Sequence, residues 1–437
     1  MIKKLSTTIL PNPRRVILLP FELNEVRTRR VINMVSSLEE REVQKIINKV
    51  FKEFSGRHRY FEETIISNYS RIAKHIPKSV IMTNDKKMLL GSYFSKEYSI
   101  CSAALFNPSI VVHPDQSGID KDSLRFVMSL RATGEGHISS IVFREGVIDK
   151  NSNVRLNDTE RYSNLPKYIK FKRKEISNKK LKYANGSSSA ISDLLDSNYK
   201  CSFSEKIPLS ERVLFPNSKS ECVGMEDARF VRFHDNGDQN YFGTYTAYNG
   251  KSFRVQLIET RDFQNFEIGT LHGNAIKDKG MALFPRKINN KYVMTSRQDS
   301  ENIFIMFSKD IYFWNDAKII RTPNYPWEFI QLGNCGSPIE THAGWILITH
   351  AVGPMRKYVM SAMLLDLENP LKVIGVLNEP LIEPNDQERE GYTPNVVYSC
   401  GSIIHKENLI IPYAYSDSSC GFAKVEINEL LKKMTLL

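Results

Sequence analysis

Two carboxylates and a guanidinium crowd one short segment, Gly224-Met225-Glu226-Asp227-Ala228-Arg229, just ahead of an apolar β run. An acid held beside a cation has its proton affinity tuned, which proton-transfer chemistry requires. Asp-x-Arg is also a common structural ion pair, so the segment alone leaves both readings open. Other polar residues end apolar runs: Arg131 after Val127 to Leu130, Glu340 after Pro338-Ile339, His350 after Ile346 to Ile348, and Asp417 after Tyr413 to Ser416. Singly each reads as a satisfied core or rim side chain. Strand ends converging on one axis would instead gather them into one pocket.

The elements that must position these residues change in texture along the chain. Ser37-Leu38-Glu39-Glu40 has the form of a capping box, and Val43, Ile46, Ile47, Val50, Phe51 and Phe54 follow at the spacing of an amphipathic helix. Ser55-Gly56 breaks that pattern, and Phe61, Ile65, Tyr69 and Ile72 carry a second helix ending before Pro77. Residues 1–78 therefore read as a helical extension. Short β-branched and aromatic runs begin at Ser79 to Thr83 and continue through Trp345 to His350, and a short helix over 426–437 closes the chain. Thr260-Arg261-Asp262-Phe263 is echoed by Ser308-Lys309-Asp310-Ile311, with Asp262 and Asp310 48 positions apart. That is the period of a propeller blade, in which a hydroxyl and an Asp close a turn and the next aromatics pack between sheets. Two similar hairpin turns in another β fold would give the same echo. Residues of about 151–219 have few apolar clusters and read as an insert.

Composition excludes several classes. With 41% hydrophobic and 25% charged residues among 437, the chain fits a soluble globular protein. No apolar run reaches eighteen residues, and Pro11, Pro13, Arg14 and Arg15 interrupt any signal core, so a cytoplasmic location is expected, without membrane contact. Six cysteines without a CxxC pair argue against a zinc site or a disulfide framework. Much of the net charge of +11 lies between Lys167 and Lys182. Without an accompanying motif this stretch reads as a solvated insert rather than a nucleic-acid surface.

Taken together the motifs resemble glycoside hydrolase family 130. Gly224 to Arg229 with Tyr245-Thr246-Ala247 is similar to the family's Gly-x-Glu-Asp-x-Arg and Tyr-Thr-Ala signatures. Leu283-Phe284-Pro285, Gly344-Trp345 leading to His350, Leu364 to Pro370 and Glu390 to Val397 match further blocks, from about Leu105 to Val425. The resemblance implies an all-β, five-bladed β-propeller over 79–425 that cleaves β-mannosides with inversion, by phosphorolysis or, in one branch, by hydrolysis. Asp227 takes the place of the catalytic acid, its proton travelling through a hydroxyl of the mannose ring. Arg131 and Asp417 match positions that hold the sugar, and Asn107, Glu226, Arg229 and His350 are expected beside it. An oligosaccharide is the implied partner, and no metal or organic cofactor is implied.

The departure from the phosphorylase pattern concerns the nucleophile. Of three cationic places that hold phosphate in those enzymes, Lys279 and Arg297 remain basic, and the third is Glu340. A carboxylate beside the phosphate would repel it and could accept a proton from water. The expectation therefore leans to an inverting β-mannosidase, with Asp227 as acid and Glu340 as base. Glu388 or Glu390 is a second candidate base. Phosphorolysis to mannose 1-phosphate, with phosphate as co-substrate, or the reverse mannosyl transfer is the first alternative. A glycan-binding propeller without catalysis is the second. β-1,2 linkages are favoured only through the resemblance, and the helical extension is a candidate dimer or lid element.

Overall fold

The computed structural model describes residues 2–171, 188–235 and 237–437. Lys172, Arg173, Lys174, Lys179, Lys180 and Lys182 of the basic stretch lie outside them, as do Asn185, Gly186 and Ser187.

Four helices form the N-terminal layer: α1 (Glu25–Ser37), α2 (Glu40–Phe54), α3 (Phe61–Ile72) and α4 (Asn84–Tyr93). The apolar stripe of α2 buries Val43 and Ile47 in a cluster with Ile32, Val35, Leu89, Leu90 and Phe94. Its capping box is Glu39 with Glu42, two residues on from the expected Ser37, which instead closes α1. The sequence pattern marks neither α1 nor α4, and Ser79 to Thr83 forms no strand but leads into α4, whose cap is Thr83. Gly91 lets α4 meet α3, because a Cβ there would lie 2.2 Å from the Ile65 carbonyl oxygen. The strand Val16–Pro20 pairs antiparallel with Ser95–Ser99. Arg59 donates to both oxygens of the buried Glu211 at 2.9 and 2.5 Å and so ties the layer to the β region.

The β region runs through five successive antiparallel meanders. The first is Ala104–Val112, Leu124–Thr133, Ser139–Ile148 and Val154–Leu156; the second is Gly224–Asp235, Asp238–Tyr248, Phe253–Thr260 and Asn265–Thr270. One parallel register pair, Gly224 with Ser139, joins these two into an eleven-stranded sheet. Ala282–Leu283, Tyr292–Ser296, Ile303–Ser308 and Ala317–Arg321 make the third. The fourth is built on Gly344–Val352 and Tyr358–Leu365, the fifth on Asn408–Tyr415 and Ser419–Glu426. The outer strand of the fifth is Lys3–Lys4, paired with Lys424 and Ala423, so the chain's first residues complete its last sheet.

The described parts of the segment 151–219, residues 151–171 and 188–219, are tied into the eleven-stranded sheet rather than inserted between sheets. Val154–Leu156 and Val213–Leu214 pair with Ser139–Ile148, and Tyr199–Ser202 pairs with Asn265–Thr270. These strands are short and their partners distant, so no local periodicity marks them. The two echoed turns close alike. Thr260 Oγ1 accepts from the Phe263 amide (2.9 Å) and Asp262 Oδ1 from the Gln264 amide (2.8 Å), while Ser308 Oγ accepts from the Asp310 amide (3.0 Å) and Asp310 Oδ1 from the Tyr312 amide (3.0 Å). Phe263 and Trp314 then bury their rings in adjoining clusters. A six-residue helix, Ile427–Lys432, follows the last meander strand.

Candidate active site

Three breaks in regular β structure aim polar side chains at one cavity. Ala104–Val112 shifts register between Phe106 and Ser109 with Asn107 at φ +49°, and Gly224–Asp235 shifts between Glu226 and Arg229 with Asp227 at φ +56°. Asp417, at φ +47°, turns the chain between the two long strands of the fifth meander. Asn and Asp tolerate left-handed backbone better than other non-glycine residues, and bulges re-aim side chains; both features collect at ligand sites. The cavity has a volume of about 270 Å³, and Asn107, Arg131, Asp227, Arg229, Lys279, Arg297, His350 and Asp417 all line it.

A chain of charges crosses its floor. Arg131 donates from Nη1 to Asp227 Oδ1 (3.1 Å) and from Nη2 to Glu226 Oε1 (2.7 Å), and Lys279 Nζ donates to Glu226 Oε2 (2.9 Å). Asn107 Nδ2 donates to the same Oδ1 of Asp227, while Asn107 Oδ1 is buried with no protein partner. That acceptor is available to a ligand hydroxyl. Arg229 donates to the Asn334 carbonyl (3.0 Å) and to the Tyr398 hydroxyl, and Arg297 Nε donates to Asp278 (3.3 Å).

The two cavity carboxyls are driven apart. Burial pushes Asp227 up, but the charges of Arg131, Lys279 and Arg229 and the Asn107 bond outweigh it and hold the carboxyl below the ordinary aspartate range. Burial raises Asp417; the charge of Asp227 adds to this, and the Thr393 bond, Arg131 and Arg356 oppose it without reversing it. Carboxyls of unlike proton affinity in one cavity are the arrangement proton transfer uses. Burial, with the charges of Arg297 and Arg229, holds His350 well below the usual imidazole range, so it is neutral. Its ring packs against Tyr398 at 4.7 Å and over Gly333, where a Cβ would come within 2.2 Å of it.

Of the expected site residues, Glu226 stands behind the lining, bonded to Arg131 and Lys279, and three lie elsewhere. Glu340 is 40% exposed and makes a two-pronged ion pair with Arg286, at 2.8 and 2.7 Å. Its strand Ile339–Thr341 pairs it with Trp345, five residues along Gly344–Val352 from His350. An odd separation puts the two on opposite faces, and five residues of strand span about 17 Å. Arg286 also stacks on Trp345, with Cζ 4.9 Å from the ring centroid. Glu340 is therefore a sheet-end ion pair and not a cavity base. Glu388 is buried, but its carboxylate accepts from the Tyr413 hydroxyl (2.6 Å), the Asn385 amide (3.1 Å) and Lys4. It anchors the N-terminal strand. Glu390 is exposed and does not line the cavity. Conversely, Arg356, Tyr358, Thr393 and Tyr398 line the cavity without having been singled out. Tyr398 directly follows a recognised block, whereas no sequence signal marks a hairpin tip that bends inward.

The family model for glycoside hydrolase family 130, described as β-1,4-mannooligosaccharide phosphorylase, matches residues 182–436. The chain belongs to glycoside hydrolase family 130. A 1,2-β-oligomannan phosphorylase of Thermoanaerobacter sp. (strain X514) is 36% identical over 228 residues, covering 51% of this chain and 75% of that relative. A β-1,2-mannobiose phosphorylase of the same strain is 34% identical over 223 residues, 49% of this chain and 70% of the relative. Among solved structures, the β-1,2-mannobiose phosphorylase from Listeria innocua in complex with β-1,2-mannobiose superposes with a TM-score of 0.51 at 24% identity, over 77% of this chain and 92% of that one. A structure presented as showing that family 130 contains glycoside hydrolases targeting β-1,2 mannosidic linkages in Candida mannan gives 0.52 at 17%, over 76% and 87%. Such near-equal likeness to both kinds of family 130 protein places the fold and leaves the nucleophile to the cavity's own chemistry.

Proposed function

We propose that the five meanders are the blades of a propeller and that the cavity where they converge carries out phosphorolysis of β-mannosides, releasing α-mannose 1-phosphate. One observation carries the choice of phosphate over water: five cationic side chains, Arg131, Arg229, Lys279, Arg297 and Arg356, line the cavity against two lining carboxylates, Asp227 and Asp417, and a positive charge remains after Glu226 and Asp278, which bond Arg131, Lys279 and Arg297, are counted. An excess of positive charge in a partly desolvated cleft favours a phosphate dianion. The carboxylate expected to repel that dianion, Glu340, is committed to Arg286 outside the cavity.

In this reading Arg131, Asp417 and Asn107 orient the mannose unit, and Lys279 and Arg297 hold phosphate on the face opposite the leaving group. A phosphate oxygen forms the new bond to C1 as the bond from C1 to the glycosidic oxygen breaks. The proton that oxygen needs originates at Asp227 and passes through a ring hydroxyl. The surrounding cations hold Asp227 below the ordinary aspartate range; a bound dianion offsets those charges and restores the proton affinity that a donor needs. The names of the two Thermoanaerobacter relatives favour β-1,2 linkages.

Incubation of the protein with β-1,2-mannobiose, with and without inorganic phosphate, tests this. Mannose and mannose 1-phosphate are expected in equal amounts, with little turnover when phosphate is left out. Equal rates in both conditions, with free mannose the only product, would return the assignment to hydrolysis. Glu340→Gln is expected to leave kcat/KM within about twofold of the parent, because the side chain does not reach the cavity. A base would instead lose roughly 10²–10⁴-fold.

A further inference from the structure

We propose that Arg356, supplied from a hairpin tip, is a third cation of the phosphate site beside Lys279 and Arg297. This rests on the phosphorolysis reading and deepens it.

Gly353 to Lys357 forms the turn between Gly344–Val352 and Tyr358–Leu365, with the Gly353 amide donating to the Lys357 carbonyl (3.1 Å) and the Lys357 amide to the Pro354 carbonyl (3.2 Å). Within it two consecutive residues are left-handed, Met355 at φ +58° and Arg356 at φ +54°. Non-glycine residues adopt that backbone only where the surroundings hold them, and such places cluster at ligand clamps. Met355 is 92% exposed and points away from the cavity lining, while Arg356, also exposed, lines the cavity at its rim. Its guanidinium lies 5.7 Å over the Tyr358 ring, and that ring stacks on His350 at 6.0 Å and 12°. Arg356 therefore stands on the wall that His350 forms, which the charge of Arg297 also reaches.

What sets Arg356 apart is its unused donors. Arg131, Arg229, Lys279 and Arg297 each already donate to a carboxylate, carbonyl or hydroxyl of the protein. Among the described residues Arg356 has a ring contact and no ion pair or hydrogen bond. A guanidinium with free donors at the mouth of a cationic cavity fits a tetrahedral oxyanion, which it can grip through two parallel N–H groups.

The test is initial-rate kinetics on β-1,2-mannobiose with inorganic phosphate varied, for the parent, Arg356→Gln and Arg356→Lys. Arg356→Gln is expected to raise the phosphate KM roughly tenfold or more while the mannobiose KM stays within about twofold, and Arg356→Lys to recover part of the loss. A phosphate KM within about twofold of the parent in Arg356→Gln overturns the proposal, as does an increase that falls on mannobiose instead. Should Arg356→Gln be unstable, Arg356→Lys must still raise the phosphate KM alone, since a point charge cannot reproduce the paired donors. Phosphate-independent cleavage by the parent would sink the phosphorolysis reading and this one together, an outcome distinct from a normal phosphate response in the variant.

Discussion

Asp227→Asn is expected to lower kcat by roughly 10²–10⁴-fold while ligand binding survives, because the amide keeps the shape and loses the transferable proton. The hydrogen bonds in the cavity make the variant informative. Arg131 and Asn107 both donate to Asp227 Oδ1, and the carbonyl oxygen of the substituted amide can still accept from them. Arg131 also keeps its bond to Glu226, which holds Lys279 in turn. The sugar-orienting and anion-holding side chains should therefore stay in place, so isothermal titration with β-1,2-mannobiose checks binding while product analysis checks turnover. Undiminished kcat would remove Asp227 from the chemistry. Lost binding with lost turnover would instead make it an anchor of the charge network.

Glu221→Ala is expected to cost the fold about 4 kcal/mol, taking roughly 1 kcal/mol for each of four donors left without an acceptor. Glu221 is fully buried beside the second meander. It accepts from the Tyr199 hydroxyl (3.0 Å), the Tyr245 hydroxyl, and the amides of Asn217 and Ser218 (3.0 Å each). Denaturant unfolding measures the effect, and Glu221→Gln, which retains one acceptor oxygen, should lose about half as much. A loss under about 1 kcal/mol for the alanine variant would mean that water or rearranged side chains serve these donors. The contact also gives a physical reason for the tyrosine of Tyr245-Thr246-Ala247: its hydroxyl helps hold the segment that enters Gly224 to Arg229.

Much of this was legible in the residues themselves. Period-3.6 spacing reveals α2 and α3, because their stripes are apolar apart from the buried Asn68 of α3, whereas α1 contacts the core through Thr28, Ile32 and Val35 amid Arg27, Arg29 and Arg30. Local turn chemistry reveals the echoed turns, since side chain and backbone partners lie within three residues. The pairing of Val213–Leu214 or Lys3–Lys4 has no such local signature; it depends on partners far away in the chain. Asp227, Arg131, Asp417, Lys279 and Arg297 were all expected and all reach the cavity. Glu340 was misplaced because a motif fixes a position along the chain but not the sheet face. The pairing of Glu340 with Trp345 across a short hairpin decides the face.

The borrowed outer strand of the fifth meander has a bearing on how the molecule is made. Lys3 meets Lys424 only after a loop of some 420 residues has closed, a late and entropically costly event in biosynthesis. Until then Ser419–Glu426 presents an open edge, ready to accept a strand from a second nascent polypeptide. The Lys4 to Glu388 ion pair acts as a latch that holds the strand on that edge once it has docked.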